Sequence, residues 1–559
     1  MQVPVIDIFA GAGGLSEGFS VWPSRAKPFF RIALSAEKAP AAVRTLRLRA
    51  FFRQYKPAEV PDAYYRFLGG EPAEGELRKI LDGEVVPPPD PDQPDHSEVI
   101  CPVAIGEPGF DSAGFHRLVD AARAGSGHWV LIGGPPCQPF STAGRTRRRA
   151  IPGFDPETDH RNYLYKEYLR IIVRHWPAVF VMENVKGIIS ARLGGEPVLG
   201  QVLEDLSNPA RLEDCRPEVM PERYRYKIWP LVTTEQPPDL WGVCPPGHYV
   251  IESEKYGIPQ KRHRVILLGI RDDIQVTPEK LRPAGGPWLT CGEILAGLPP
   301  LRSGIARTPD SRQQWADIAA GPAPAGGWRG AELTDVADTP AQWTAVLRSA
   351  PAQPWFAELG TRGQADVREH ILKVLAGLRA PAADRGGESI PGGQPPRTLR
   401  EWYEDPRLTG VSLHSTREHM PHDLHRYLYA AAFAHVNDRS PRLGDFPEGL
   451  RPLHKNVGKS LKHDNFADRF RVQVMDQPAT TVMSHLAKDG HYFIHPDPAQ
   501  ARSLTVREAA RLQTFPDNYF FCGNRTEQYT QVGNAVPPLL AWQIAAVVAD
   551  VLVRAGISN

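Results

Sequence analysis

Long apolar runs are missing from this 559-residue chain. No stretch approaches the roughly 20 apolar residues of a membrane span. The opening "MQVPVIDIFAGAGG" lacks the basic-then-apolar order of a secretory signal. Membrane and secreted classes are set aside, and the chain is read as cytoplasmic. Cysteine is scarce too: Cys101, Cys137, Cys215, Cys244, Cys291 and Cys522 are scattered without disulfide pairing or metal-ligand spacing. Neither charge dominates. With 65 basic and 64 acidic residues the net charge is +1, so any case for nucleic acid has to be local.

What is present is a soluble globular composition, 42% hydrophobic and 23% charged, in a chain too long for one compact domain. The first 40 residues read as strand, glycine turn, helix and strand: "VPVIDIF" closed by "AGAGG", then "RIALSAE" ending on an acid. Residues 51–100 break that rhythm and dissolve into "PPPDPDQPD", which reads as a loop or insertion. The rhythm returns with "GHWVLIGGPP", the helical stripe Leu164, Tyr168 and Ile172, and the strands "AVFVMEN" and "HRVILLGIR". Strands alternating with helices predict an α/β fold, a doubly wound, mostly parallel sheet.

From 272 to 475 the pattern decays into a smaller irregular domain. Order resumes with a helix that Thr505 and Glu508 would cap, and with a last helix presenting Leu540, Ile544, Val547 and Val551 on one face. The predicted division is 1–271 with an insertion at about 51–100, then 272–475, then 476–559 returning to the first domain.

Ligands of open parallel sheets bind beyond the carboxyl ends of the strands. Four such ends carry unusual residues here: "FAGAGG", "SAEK", "GGPPCQPFS" and "MENV". The glycine turn could receive a nucleotide-like cofactor, with Glu37 accepting two ribose hydroxyls, or be a plain packing turn. Cys137 is either a small buried hydrophobe or a nucleophile whose angle Gly133–Gly134 and Pro135–Pro136 fix. The run "GRTRRR" behind it could favour a thiolate, hold phosphates, or be a solvated loop. Glu183 and Asn184 end the next strand, where a carboxyl and a thiol could act on two positions of one flat ring. Arg262 and Arg264, two residues apart, share one face of an extended strand and could aim donors at a base oxygen and at a phosphate or carboxylate. Either pair could instead be ordinary surface structure.

These stretches, in this order, resemble the carbon-5 cytosine DNA methyltransferases of bacterial type. The resemblance covers "VIDIFAGAGGLSEGF", "GGPPCQPFS", "DHRNYLYKEYLRII", "VMENVKG", "YGIPQKRHRVILLGIR", "RSLTVREAARLQTFPDNYFFCG" and "QVGNAVPP"; residues 51–127 and 272–475 fall outside it. It implies a Rossmann-like fold that binds S-adenosylmethionine, with a target-recognition domain at 272–475. It also implies methyl transfer to carbon 5 of a flipped-out cytosine in a specific duplex DNA sequence, through a covalent Cys137 adduct at carbon 6.

Carried across, Glu183, Asn184, Arg262 and Arg264 join Cys137 as catalytic residues. The cofactor would meet Phe9, Gly11, Gly13, Gly14, Glu37, Pro136, Asn534 and Val536. One departure stands out: where the family has an acid that reads the adenine amino group, "VAIGEPGF" offers only Glu107, off pattern. DNA would meet Gln138, Ser141 and Arg145 in a closing loop, and Arg451, Lys455, Lys459 and Lys462 in a locally basic stretch. His414, His419, His422 and His425 lie close in sequence but complete no metal-ligand set, so no metal is expected; they read as helix-surface and phosphate-facing side chains. The expected partners are double-stranded DNA and a cognate restriction endonuclease, with the chain acting as a monomer of bacterial or phage origin and binding no membrane. A tRNA cytosine methyltransferase on the same fold, and a catalytically silent DNA-binding regulator, are the competing readings; the long recognition region favours duplex DNA over tRNA.

Overall fold

The computed structural model describes residues 2–84, 98–136, 164–193, 195–211, 224–232, 244–306, 338–452, 468–488 and 490–557. Its centre is an eight-stranded sheet. In chain order the strands are β1 (Val3–Ile8), β2 (Phe30–Glu37), β3 (Val99–Pro102), β4 (Val130–Gly133), β5 (Val179–Val185), β6 (Tyr226–Trp229), β7 (Val250–Glu252) and β8 (His263–Arg271). They are ordered β3-β2-β1-β4-β5-β8-β6, with β7 pairing β8. The first five run parallel, and β8 is antiparallel to β5, β6 and β7.

β1 is apolar along nearly its whole length because both its faces are covered, as a central parallel strand requires. Successive side chains alternate between two cores. Ile6 and Ile8 join Leu34, Leu131, Phe180 and the helix Leu164–His175 on one face. Val3 and Val5 join Ile32, Val130, Val181 and the helix Pro538–Arg554 on the other. This is the doubly wound arrangement that the alternating pattern predicts. The C-terminal helix buries Leu540, Ile544, Val547 and Val551. It lies so close to α1 (Gly14–Ser20) that a Cβ at Gly18 would stand 2.4 Å from the backbone nitrogen of Trp542. Contrary to the sequence reading, an 18-residue stretch within Arg525–Arg554 is apolar enough by composition to cross a membrane, but 72% of it is buried inside the protein, as a core helix is.

The segment expected to be an insertion at about 51–100 has structure of its own where it is described. Helices Asp62–Leu68 and Gly75–Asp82 pack Tyr64, Leu68, Leu77, Ile80 and Leu81 onto Leu48, Phe51 and Phe52 of α2 (Pro40–Arg53). Residues 99–102 are the edge strand β3, tied down by the buried pair of Arg53 with Glu98, Nη2 to Oε1 2.8 Å. The "PPPDPDQPD" stretch lies outside the described residues.

The 272–475 region has a core of its own around the helix Pro421–Asn437, whose Leu424–Ala434 stretch is buried against Trp343, Trp355, Phe356 and Ile371. That core also takes in Ile494 and Ala501, whereas Cys291, Ile294, Tyr403 and Leu413 pack with Val506, Phe515 and Tyr529. The expected division at 475 therefore runs through shared packing. The helix Val506–Leu512 carries the anticipated capping box: Thr505 Oγ1 accepts from the Glu508 backbone N–H at 3.2 Å, and Glu508 accepts from that of Thr505 at 2.7 Å.

Candidate active site

Strand register decides which residues meet. Ile8 is opposite both Ala36 and Gly133, Gly133 is opposite Met182, and antiparallel β8 sets Arg264 opposite Val185. The turn after β1, Glu37, Gly134–Pro136, Glu183–Asn184 and Arg264 therefore share one rim. Cys137 lies outside the described residues, as do Gln138, Ser141, Arg145, Lys455, Lys459 and Lys462. The chain leading to Cys137 is described as far as half-buried Pro136. Within it, a Cβ at Gly134 would stand 3.0 Å from Glu183 Oε2, so this backbone passes close against the carboxylate.

Glu183 and Arg264 face each other at the rim, Oε1 to Nε 2.9 Å, with side chains 13% and 15% exposed. The Nε–H is not aligned for a hydrogen bond, so the contact is one of charge. Arg264 donates from Nη1 to the His263 carbonyl. Burial lowers its pKa and the Glu183 charge opposes that; an arginine stays protonated through such shifts. Asn184 is buried, and its Oδ1 accepts from the Val185 N–H at 2.8 Å, which fixes the strand end carrying Glu183.

Arg262 requires a correction. Alternation along one extended strand predicts that it sits beside Arg264, but the strand is interrupted there. Gln260–Lys261 pair with Ala479–Thr480, and the Arg262 N–H turns back onto the Gln260 carbonyl before β8 begins. The guanidinium is buried and donates to the carbonyls of Val482 (2.9 Å) and Gly533 (3.2 Å). Burial, then the charge of Arg264, pushes its pKa well down. Buried Gln260 completes this clasp: it donates to the Leu512 carbonyl and to Gln513 Oε1, and accepts from the Val482 N–H at 2.7 Å. The segment bearing Arg264 is thereby tied to the chain returning through 479–483 and to the end of the helix Arg525–Asn534. The sequence reading missed the clasp because its partners lie more than 200 residues away.

At the other side of the rim Phe9, Gly11 and Gly13 all have positive φ, 54°, 56° and 76°. Glu37 receives the Gly11 N–H on Oε2 and the Ala39 N–H on Oε1, both at 2.8 Å. A Cβ at Gly14 would stand 2.2 Å from the Val536 carbonyl oxygen, so the glycine turn and the "GNAV" loop are in contact. Val536 is buried there and Asn534 is exposed. Glu107 is paired with Lys38 at 2.6 Å. Beneath the turn Asp7 is buried, accepts from Ser16 Oγ at 2.8 Å, and has a second oxygen without a hydrogen-bond partner; burial pushes its pKa up to about 7. The sequence reading passed over Asp7 as part of an apolar run.

Two other expectations are overturned. Arg451 is no open phosphate contact: its guanidinium donates to the Phe446 carbonyl and faces Glu448, and the side chain is 18% exposed. His414, His419 and His425 are buried, held respectively by Thr505 and the Pro299 carbonyl, by Ser503, and by the Val346 carbonyl. They are core residues, not helix-surface groups.

Known proteins resemble the chain over most of its length. Residues 117–208 and 405–549 match the family described as C-5 cytosine-specific DNA methylase. The chain is 30% identical to the type II methyltransferase M.Bpa9945I of Bacillus paralicheniformis, over 98% of this chain and 99% of that one. It is 27% identical to the type II methyltransferase M.AgeI of Thalassovita gelatinovora, over 74% and 81%. It is also 27% identical to the DNA (cytosine-5-)-methyltransferase M.ApeKI of Aeropyrum pernix, over 76% and 81%.

Proposed function

The chain belongs to the C-5 cytosine-specific DNA methylase family and is an enzyme of the DNA (cytosine-5-)-methyltransferase class; we propose that it methylates a flipped-out cytosine in a specific duplex sequence through a covalent Cys137 adduct. The observation that carries this reading is the Glu183–Arg264 contact at the rim, with the chain toward Cys137 running past the same carboxylate.

Carbon 5 of cytosine is too weak a nucleophile to attack a sulfonium methyl. Addition of the Cys137 thiolate to carbon 6 makes the ring an enamine and puts negative charge on it. Glu183 holds a proton at ring nitrogen 3 and relieves that charge. Arg264 donates to the base oxygen and keeps Glu183 in place. Once carbon 5 carries the added methyl, its proton passes to water, the electron pair of that bond restores the double bond between carbons 5 and 6, and the Cys137 thiolate is expelled from carbon 6. A stacked base cannot reach these groups, so it has to be extruded.

S-adenosylmethionine, when bound, supplies an electrophilic methyl group. The residues present fit it: open space surrounds the position a Gly11 Cβ would take, Glu37 accepts the Gly11 N–H beside it, and Val536 packs against Gly14 of the same turn. Each oxygen of Glu37 accepts one N–H and keeps capacity for a ribose hydroxyl. Pro136 and Asn534 would complete the pocket. Residues 1–271 with 476–559 would form the catalytic part and 272–475 would recognise the target. A restriction endonuclease of matching specificity fits the type II names of the relatives.

Bisulfite sequencing of DNA from a methylation-free host expressing the chain tests the reading. Protected cytosines in one recurring sequence, absent with Cys137→Ser, are the expected result. No protected cytosine with folded wild-type protein overturns it.

A further inference from the structure

Six large apolar side chains are exposed among the described residues, and two of them, Trp288 (50%) and Met483 (37%), belong to the seam between the rim and the returning chain. The ammonium of Lys261 stands 5.7 Å from the centroid of the Trp288 ring. Lys261 forms no ion pair among the described residues; its only polar side-chain contact there is a long one, 3.4 Å, to Gln477 Oε1.

Both side chains are rigidly based. The Lys261 carbonyl accepts from Thr481 Oγ1 at 2.6 Å, and Lys261 pairs with Thr480 across the short parallel bridge. Trp288 precedes the capped helix Cys291–Leu295, whose first N–H donates to the Gln477 carbonyl at 2.7 Å. Lys261 is three residues from Arg264 across the turn at Arg262, so their backbones lie at most about 11 Å apart. A cytosine held at Arg264 stays joined to its strand, so that strand leaves the rim within reach of this lip. A cation without a carboxylate, beside an open indole face, matches the two recurrent needs of a nucleic-acid strand: a charge for phosphate and a flat apolar surface for the nucleoside.

We propose that Lys261 and Trp288 form a platform for the strand flanking the extruded cytosine, Lys261 holding a backbone phosphate and Trp288 packing against the adjacent nucleoside. The proposal rests on the methyltransferase reading and adds two residues to its DNA contacts.

The test is binding of a mixed-sequence 30-base-pair duplex by fluorescence anisotropy across a salt series, together with methyl transfer to plasmid DNA. Lys261→Gln is expected to weaken binding and to reduce the slope of log K against log salt by about 1. Trp288→Ala is expected to weaken binding about tenfold, with Trp288→Phe restoring most of it. In both, KM for DNA rises while KM for S-adenosylmethionine and the melting temperature hold, which a general loss of structure would not allow. If the wild type methylates plasmid DNA and both variants keep its affinity, salt slope and KM, the platform alone is overturned. If the wild type methylates no DNA, the functional reading falls and the platform with it.

Discussion

Glu183 sits where three demands meet: it contacts Arg264, borders the backbone leading to Cys137, and ends the strand that Asn184 stiffens. Its proposed role is proton handling at ring nitrogen 3, so Glu183→Gln is expected to lower kcat by about 10²–10⁴-fold. KM for S-adenosylmethionine should change little, because the pocket proposed for it lies beyond β1 and β2. Steady-state kinetics with varied cofactor separates the two. Glu183, Glu37 and Arg264 were legible in the sequence because each ends or begins a continuous apolar run, and register carries such ends to one rim. Arg262 was not legible. Period-2 alternation assumes an unbroken strand, and the turn at residue 262 sends the guanidinium onto Val482 and Gly533 instead.

Among the elements, the helix Val506–Leu512 shows how a local signal acquires a distant task. Its capping box is readable from Thr505 and Glu508 alone, but Glu508 also pairs with Arg502 at 2.6 Å, each side chain 1% exposed. Arg502 holds the carboxyl well below the usual range against the burial that raises it. Glu508→Gln keeps the cap and removes the charge, leaving Arg502 buried with its cation uncompensated. Such a loss costs about 3–5 kcal/mol, measurable as a lowered urea midpoint with unchanged slope. The helices of 62–82 teach the converse. Their charged, aromatic composition gives no helical signal, yet Leu77, Ile80 and Leu81 are spaced for one buried face of a helix. Counting composition hid a helical period that only eight residues long could carry.

Across the whole molecule, burial of histidine sets the response to acid. His414 and His425 are buried, and burial lowers each pKa to about 4 from the ordinary 6.5. Between those values the unfolded chain binds protons that the folded one refuses. Stability from these groups is therefore complete above about pH 6.5 and lost as pH falls toward 4, up to about 3 kcal/mol each. Glu508, held low by Arg502, loses its contribution in the same direction. Asp7 opposes them: its raised pKa favours the folded state at low pH, and that contribution falls away as pH rises from about 4 to 7. Between pH 6.5 and 4.5 the two histidines outweigh one carboxyl, so urea midpoints are expected to drop steeply there, with Glu508 adding its loss only below about pH 4.5, and His414→Gln should make the decline shallower. The histidine-rich stretch suggested a surface because polar side chains close in sequence usually face water; their burial depends on partners from Pro299 to Thr505, which no local pattern reveals.

The central claim is that Cys137 bonds to carbon 6 of the target cytosine. Duplex DNA carrying 5-fluorocytosine in place of cytosine tests it, because the fluorine at carbon 5 cannot leave as the proton does and the adduct persists. With S-adenosylmethionine present, the account predicts a covalent protein–DNA complex that survives denaturation, with the modified nucleotide on the peptide containing Cys137 by mass spectrometry, and no complex from Cys137→Ser. A wild-type protein that methylates ordinary DNA but forms no such complex, or one joined through another residue, would contradict it.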